Sequence, residues 1–283
     1  MPDSVQFAPF SSDFEMEYKE YTLVDHTHPH VHNAVEIYLA LSSIPFVLLG
    51  NRILSVPENT LLVFPPYCAH QFVGKPGILY RRYVMNINSS WLDMLLEYDR
   101  QYEYLKRNAS PAIALLNPES AALLSCQMHK LIFPEPLHGF ERLQYFLETM
   151  NLTDQMIREH GKKDDFLFSA MCTGSAQNAV NQMLSYIAEH LDEPITIKQL
   201  SDFCYLSPDY LSRIFKRYTH TTIGNYIVLQ KTAKACRLLQ QGHSITQVQQ
   251  LTGYSSYAHF FRTFKKQMGV TPGEYRRSPH QPG

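Results

Sequence analysis

The stretch Gly253-Tyr-Ser-Ser-Tyr-Ala-His-Phe-Phe-Arg-Thr-Phe-Lys-Lys-Gln-Met-Gly269 decides how the C-terminal half folds. Phe260 and Phe264 stand four residues apart, so a helix buries both on one face and leaves Tyr257, His259, Arg262, Lys265 and Lys266 on the other. An earlier stretch, Ser207-Pro-Asp-Tyr-Leu-Ser-Arg-Ile-Phe-Lys216, follows the same plan. There Tyr210, Leu211, Ile214 and Phe215 turn inward, while Asp209, Ser212, Arg213, Lys216 and Arg217 turn out. Ile197 and Leu200 are answered by Ile245 and Val248 at an offset of 48; after one extra residue, Leu211, Arg213, Phe215 and Lys216 are answered by Phe260, Arg262, Phe264 and Lys265 at an offset of 49. The chain therefore repeats a helix, a short turn and a second helix, with a longer helix over Asn225 to Gln241 between the copies.

A helix that enters a major groove needs short polar side chains and an Arg in its N-terminal half, where base edges are read. It also needs Lys or Arg further along to hold phosphates. Both second helices have this order, which makes Ser207, Asp209, Ser212, Arg213, Lys216, Arg217, Tyr257, His259, Arg262, Lys265 and Lys266 candidate DNA-contacting residues. Two merely solvated helices would not explain the recurrence of one charge run at one helix position. Net charge agrees: residues 1–177 carry −7 and residues 178–283 carry +6 in a chain of 283 residues and overall charge −1. Five cysteines, an odd number without a CxxC pair, indicate neither a disulfide framework nor a zinc knuckle. No secretory start and no apolar run approaching the ~20 residues of a membrane span is present, so a soluble cytoplasmic chain with no membrane partner is expected.

These two stretches, with Thr271-Pro-Gly-Glu-Tyr-Arg276 after them, resemble the AraC/XylS transcriptional regulators over about residues 179–277. The resemblance implies two helix-turn-helix units entering adjacent major grooves, about one helical turn apart on one face of DNA. It also implies RNA polymerase as a partner and an activator more often than a repressor. Tyr205 stands where the family has the turn glycine of the first unit, and Gln249 where a small Ala packs the second. A glycine there serves a positive φ.

The front of the chain reads differently. Glu36–Leu41, Phe46–Leu49, Thr60–Phe64 and Ile78–Met85 are short apolar runs broken by Gly50-Asn51, Pro57-Glu-Asn59, Pro65-Pro66 and Gly74-Lys-Pro-Gly77, as in a sandwich or small barrel. Helices are expected over Trp91 to Leu105, from an Asn117 cap with Pro118 at the first position, and over Phe140 to Glu159. Leu123, Leu124, Met128 and Leu131 form a stripe that suits either a homodimer interface or core packing. The expected fold class is α+β multidomain: a cupin-like β-barrel with dimerisation helices over 1–160, a linker over 161–178, and an all-α double helix-turn-helix domain over 179–283.

His26, His28, His30 and His32 alternate and are followed by Glu36, and a strand would turn the four imidazoles the same way. His30, His32 and Glu36, with His70 after Pro65-Pro-Tyr-Cys-Ala69, resemble the two motifs of the cupin barrel. In metal-binding cupins such a set holds a divalent transition metal, which imidazole and carboxylate suit. AraC-type regulators keep a similar pattern without metal and bind a small effector, often a sugar. Three readings stay open: an effector pocket built from His30, His32, Glu36, Tyr38, His70 and Arg81; a metal site at His30, His32, Glu36 and His70; and purely structural histidines. The favoured function is an effector-responsive DNA-binding regulator without enzymatic activity and without an obligate cofactor. The alternative is a metal-binding cupin enzyme fused to a DNA-binding domain.

Overall fold

The computed structural model describes residues 6–8, 13–22, 28–75, 77–97, 100–103, 105, 111–132, 139–161 and 174–277. Its N-terminal half contains β1 (Gln6–Ala8), β2 (Phe14–Thr22), β3 (His30–His32), β4 (Ala34–Ala40), β5 (Ile44–Leu49), β6 (Arg52–Val56), β7 (Thr60–Phe64), β8 (His70–Val73), β9 (Leu79–Asn88) and β10 (Ala112–Leu115). These pair in two five-stranded sheets, ordered β1-β3-β8-β5-β6 and β10-β7-β4-β9-β2. The β1–β3 pair is parallel and the other ladders are antiparallel.

The expected closed barrel does not form: no ladder joins the two sheets among the described residues. Between them lie Tyr38, Phe64, Phe72 and Tyr80, with Val47, Leu54 and Leu62. Side chains of that bulk hold facing sheets about 10 Å apart, roughly twice the spacing at which strands exchange hydrogen bonds. The result is a sandwich.

Alternation along each strand gives each sheet a second neighbour. The outer face of the β4 sheet, through Val35, Ile37, Val63, Met85 and Ile87, packs on Leu92, Leu124, Met128, Phe146 and Met150. Those residues belong to α1 (Ser89–Leu96), α2 (Pro118–Lys130) and α3 (Gly139–His160). Helix α2 starts as its sequence directs: the Asn117 side chain accepts from the Ser120 amide at 2.8 Å, and Pro118, which has no amide hydrogen to satisfy, follows. Leu124 and Met128 of the expected stripe are core, whereas Leu123 is 55% exposed.

The C-terminal half contains α4 (Ser175–Glu189), α5 (Ile197–Cys204), α6 (Pro208–Thr219), α7 (Ile223–Gln240), α8 (Ile245–Leu251), α9 (Tyr257–Met268) and α10 (Pro272–Arg277). Helix α4 begins inside the stretch read as a linker, whose residues 162–173 lie outside the described part. The outer face of the β3–β8 sheet is buried against these helices. Val31, Tyr67 and Ala69 join the core of Leu229, Ala233, Phe260, Phe264 and Tyr275. Leu48 and Ile53 join that of Val180, Leu184, Leu211 and Phe215. Hydrogen bonds pin the same seam: Tyr226 Oη donates to the Gly50 carbonyl at 2.7 Å, and the Asn181 side chain accepts from the Ile53 amide and donates to the Ile53 carbonyl. No helix among the described residues is long and apolar enough to cross a membrane.

Candidate functional site

The two repeats fold alike. Thr196 and Gln199 form a capping box at α5, and Ser244 and Gln247 form the equivalent one at α8. Ser207 caps α6 and Ser256 caps α9, each accepting from the amide three residues on. The turns correspond as well: Tyr205 at φ 54° and Gly253 at φ 62° occupy the same left-handed position. Tyr205 thus adopts a conformation that favours glycine, with its ring 93% exposed. Gln249 does not act as a packing residue. Its side-chain amide donates to the Tyr254 carbonyl, as the Ser201 hydroxyl donates to the Leu206 carbonyl in the first repeat.

Every candidate DNA-contacting residue is exposed: Ser207, Asp209, Ser212, Arg213, Lys216 and Arg217 on one side, Tyr257, His259, Arg262, Lys265 and Lys266 on the other. The Ser207 hydroxyl is engaged in its cap, and Arg213 rests over the Tyr210 ring at 5.4 Å. The opposing faces are core, with Leu211, Phe215, Phe260 and Phe264 at 0–1% exposure. Between the units lies Lys231, buried on α7, whose Nζ donates to the Glu193 carbonyl at 2.8 Å and the Gly253 carbonyl at 3.0 Å. One ammonium therefore ties the loop before the first unit to the turn of the second.

In the sandwich, a cavity of about 340 Å³ opens between the sheets. Inward-facing alternate residues line it: Glu15, Glu17 and Lys19 of β2, His30 and His32 of β3, Glu36 of β4, His70 and Phe72 of β8, and Arg82, Val84 and Asn86 of β9. His32 Nε2 lies 3.0 Å and His70 Nε2 3.3 Å from one oxygen of Glu36. Burial alone would raise the Glu36 carboxyl, but the His70 imidazole and hydrogen bonds from His32 and His70 hold it well below the usual carboxylate range. His30 is pushed down to about 3, by burial first and then by the neighbouring His70 and His32.

Four of the six residues expected in the pocket meet there: His30, His32, Glu36 and His70. Arg81 does not. It is exposed on the outer face of β9, and the inward guanidinium is that of Arg82, because a shift of one residue changes the face of a strand. Tyr38 lies beside the cavity instead of lining it, stacked on Phe72 at 4.2 Å and beneath Arg82. His28 sits at the seam between the halves, its Nδ1 3.1 Å from the His220 carbonyl, and His26 lies outside the described residues.

The metal set has the right chemistry and a compact geometry. One nitrogen from each of His30, His32 and His70 lies within 4.8 Å of the others. His70 Nδ1 is 3.0 Å from the Cys68 carbonyl. With a cation between His70 Nε2 and Glu36, His70 would donate from Nδ1 alone and turn its Nε2 lone pair to the ion; without one, Nε2 faces the Glu36 carboxylate as a donor.

Residues 200–278 match the family model of a helix-turn-helix domain. The regulatory protein SoxS of Escherichia coli (strain K12) is 32% identical over 103 residues, which are 36% of this chain and 96% of SoxS. The HTH-type transcriptional regulator YobQ of Bacillus subtilis (strain 168) is 26% identical over 267 residues, 93% of each chain. The melibiose operon regulatory protein of Escherichia coli (strain K12) is 33% identical over 107 residues, 38% of this chain and 35% of that protein, so the match spans about a third of that relative's length. These relatives are regulators of transcription and not enzymes, which speaks against the metalloenzyme alternative. The chain belongs to the AraC family of transcriptional regulators.

Proposed function

We propose that the chain binds double-stranded DNA through α6 and α9 and alters that binding when a small polar molecule, a sugar among the candidates, occupies the sandwich cavity. Within this reading Arg213 and Arg262 contact base edges, Lys216, Arg217, Lys265 and Lys266 hold phosphates, and the remaining candidates of both helices flank them. The protein acts in the cytoplasm as a homodimeric activator in contact with RNA polymerase, its front domain running to about residue 160.

One observation carries the reading: the strands that present imidazoles to the cavity also carry the contacts to the helical half. On β3, His30 and His32 face inward while Val31 is buried against the α7–α10 core. Next to β8, His70 faces inward while Tyr67 and Ala69 join that same core. The Tyr67 hydroxyl hydrogen-bonds the Tyr275 hydroxyl of α10 and accepts from Gln240 of α7 at 3.0 Å. A ligand that moves either strand therefore changes its packing on the second helix-turn-helix unit within the thickness of one sheet. It shifts the equilibrium only as far as it prefers one arrangement over the other.

A second reading is favoured by the His30–His32–His70 cluster with Glu36, which fits a divalent transition metal serving structure or ligand binding. The experiment is to select duplexes from a random pool, then measure affinity for the selected duplex with and without each compound that raises the melting temperature. Elemental analysis of the same preparation reads the metal. A compound that changes both melting temperature and duplex affinity supports the proposal. A sequence-indifferent affinity, unmoved by any stabilising compound, refutes it.

A further inference from the structure

Three carboxylates, Glu15, Glu17 and Glu36, and two cations, Lys19 and Arg82, line the cavity. Glu17 pairs with Lys19 at 2.5 Å, Glu36 is held by His32 and His70, and Glu15 is exposed on β2. Arg82 has no carboxylate within ion-pair distance among the described residues. Its guanidinium instead stacks over aromatic rings, 4.7 Å from Tyr21, 5.1 Å from Tyr38 and 5.6 Å from Phe72. Its Nε is buried and lacks a hydrogen-bond partner, and so does Oδ1 of Asn86, four residues along the same inward face. Arg82 and Asn86 both line the cavity, and a buried cationic donor and a buried acceptor without partners are costly unless a ligand that settles against these side chains satisfies both.

Resting on the reading that this cavity holds a small regulatory ligand, we infer that the ligand is a small hydroxycarboxylate. Its carboxylate accepts from the Arg82 guanidinium, and one of its hydroxyls donates to Asn86 Oδ1. A guanidinium matches a carboxylate in a two-pronged geometry that a neutral polyol cannot supply. The aromatic rings around Arg82 fix the fork in place, so little freedom is lost on binding. Phe72 and Val84 supply the apolar floor, and a cavity of about 340 Å³ is large enough for a six-carbon sugar acid.

Matched pairs of probes test each half of this claim. D-galacturonate and D-galactose differ at the carboxylate; malate and succinate differ at the hydroxyl. Each is added at 10 mM to the full chain while thermal unfolding is followed, and titrated calorimetrically where the melting temperature moves. A hydroxy acid should stabilise the protein while its matched partner does not. Arg82→Gln should weaken that binding roughly 10- to 100-fold, and Arg82→Lys less, because it keeps the charge and loses the fork. Arg81→Gln, on the opposite face, should leave it unchanged. Retained affinity for the selected duplex shows that each variant is folded.

The inference is overturned if galactose or succinate stabilises as strongly as its partner, or if no hydroxy acid in the set stabilises at all. It is equally overturned if binding survives Arg82→Gln, as it would for an anion held by a metal at the imidazoles. Binding of a neutral compound alone would remove the hydroxycarboxylate and leave the ligand-responsive regulator standing. Failure of every compound together with fixed DNA affinity would remove both.

Discussion

Gly253→Ala should separate the two DNA-binding units without touching any DNA-facing residue. A Cβ on Gly253 would lie 2.5 Å from the Asp192 carbonyl carbon, 2.6 Å from the Glu193 nitrogen and 2.7 Å from the Asp192 oxygen. These are backbone atoms that cannot rotate away, so the loop must retreat by roughly 1 Å to restore van der Waals separation. The left-handed φ of 62° adds about 1 kcal/mol for any residue with a Cβ. Retreat also pulls apart the Glu193 and Gly253 carbonyls that Lys231 holds at 2.8 and 3.0 Å, and a hydrogen bond from a charged donor contributes about 1.5–3 kcal/mol. A loss of about 3 kcal/mol is expected, measured as the shift of the urea transition of the helical half. Affinity for a duplex carrying both half-sites should fall at least tenfold, because the recognition helices are no longer held at a fixed separation. Gly224→Ala is the control: it lies on α7 with open space around it, and it should leave stability unchanged or raise it by up to ~1 kcal/mol. A Gly253→Ala protein within about 0.5 kcal/mol of the parent, with unchanged duplex affinity, would refute the locked arrangement.

Other expectations are equally direct. Lys216→Ala and Lys265→Ala should each weaken binding on every sequence and lower the slope of log affinity against log salt by about one, and an unchanged slope would move that lysine off the phosphates. Tyr67→Phe removes one partner of the buried Tyr275 hydroxyl and should cost about 1–2 kcal/mol, together with a smaller response of DNA affinity to any stabilising compound; a full response would exclude this contact as the connection. Burial, reinforced by Lys234, pushes Lys231 down to about 8. At this residue the unfolded chain therefore binds more protons between pH 8 and about 10.4, a contribution that grows with pH, while the buried Cys68 and Cys236 thiols, pushed up to about 12, contribute in the opposite sense. The stability difference between the parent and Lys231→Met should therefore move in the parent's favour from pH 7.5 to 10, read by urea unfolding of both proteins, and an unchanged difference would refute the shift.

The recognition helices were legible because their information is local and stated twice. The inward Leu211, Phe215, Phe260 and Phe264 follow from spacing within a dozen residues, and the left-handed Tyr205 stands where the family resemblance puts a turn glycine. Closure of the front domain was not legible in that way. Whether ten strands form a barrel or two sheets depends on the volume of Tyr38, Phe64 and Phe72 where the sheets meet, and no short window contains that. Strand β2 was masked by its own charge: Phe14–Thr22 alternates, but its inward positions are Glu15, Glu17 and Lys19, which read as acidic solvent-facing sequence. Arg81 and Arg82 differ by one residue of register, and Val84 with Asn86 share the cavity-lining face with Arg82. The contact of Tyr67 with Tyr275 joins residues 208 apart in sequence and exists only once the two halves pack.

Hydroxyl-radical footprinting of the full chain on its selected duplex tests the double-reader arrangement most directly. Two protected patches should lie on one face of the DNA, about one helical turn apart, for each protomer bound. Arg213→Ala and Arg262→Ala should each relax base preference in one patch only, at a cost of about 1–3 kcal/mol. A single patch, or two patches whose sequence preference survives both substitutions, would contradict it.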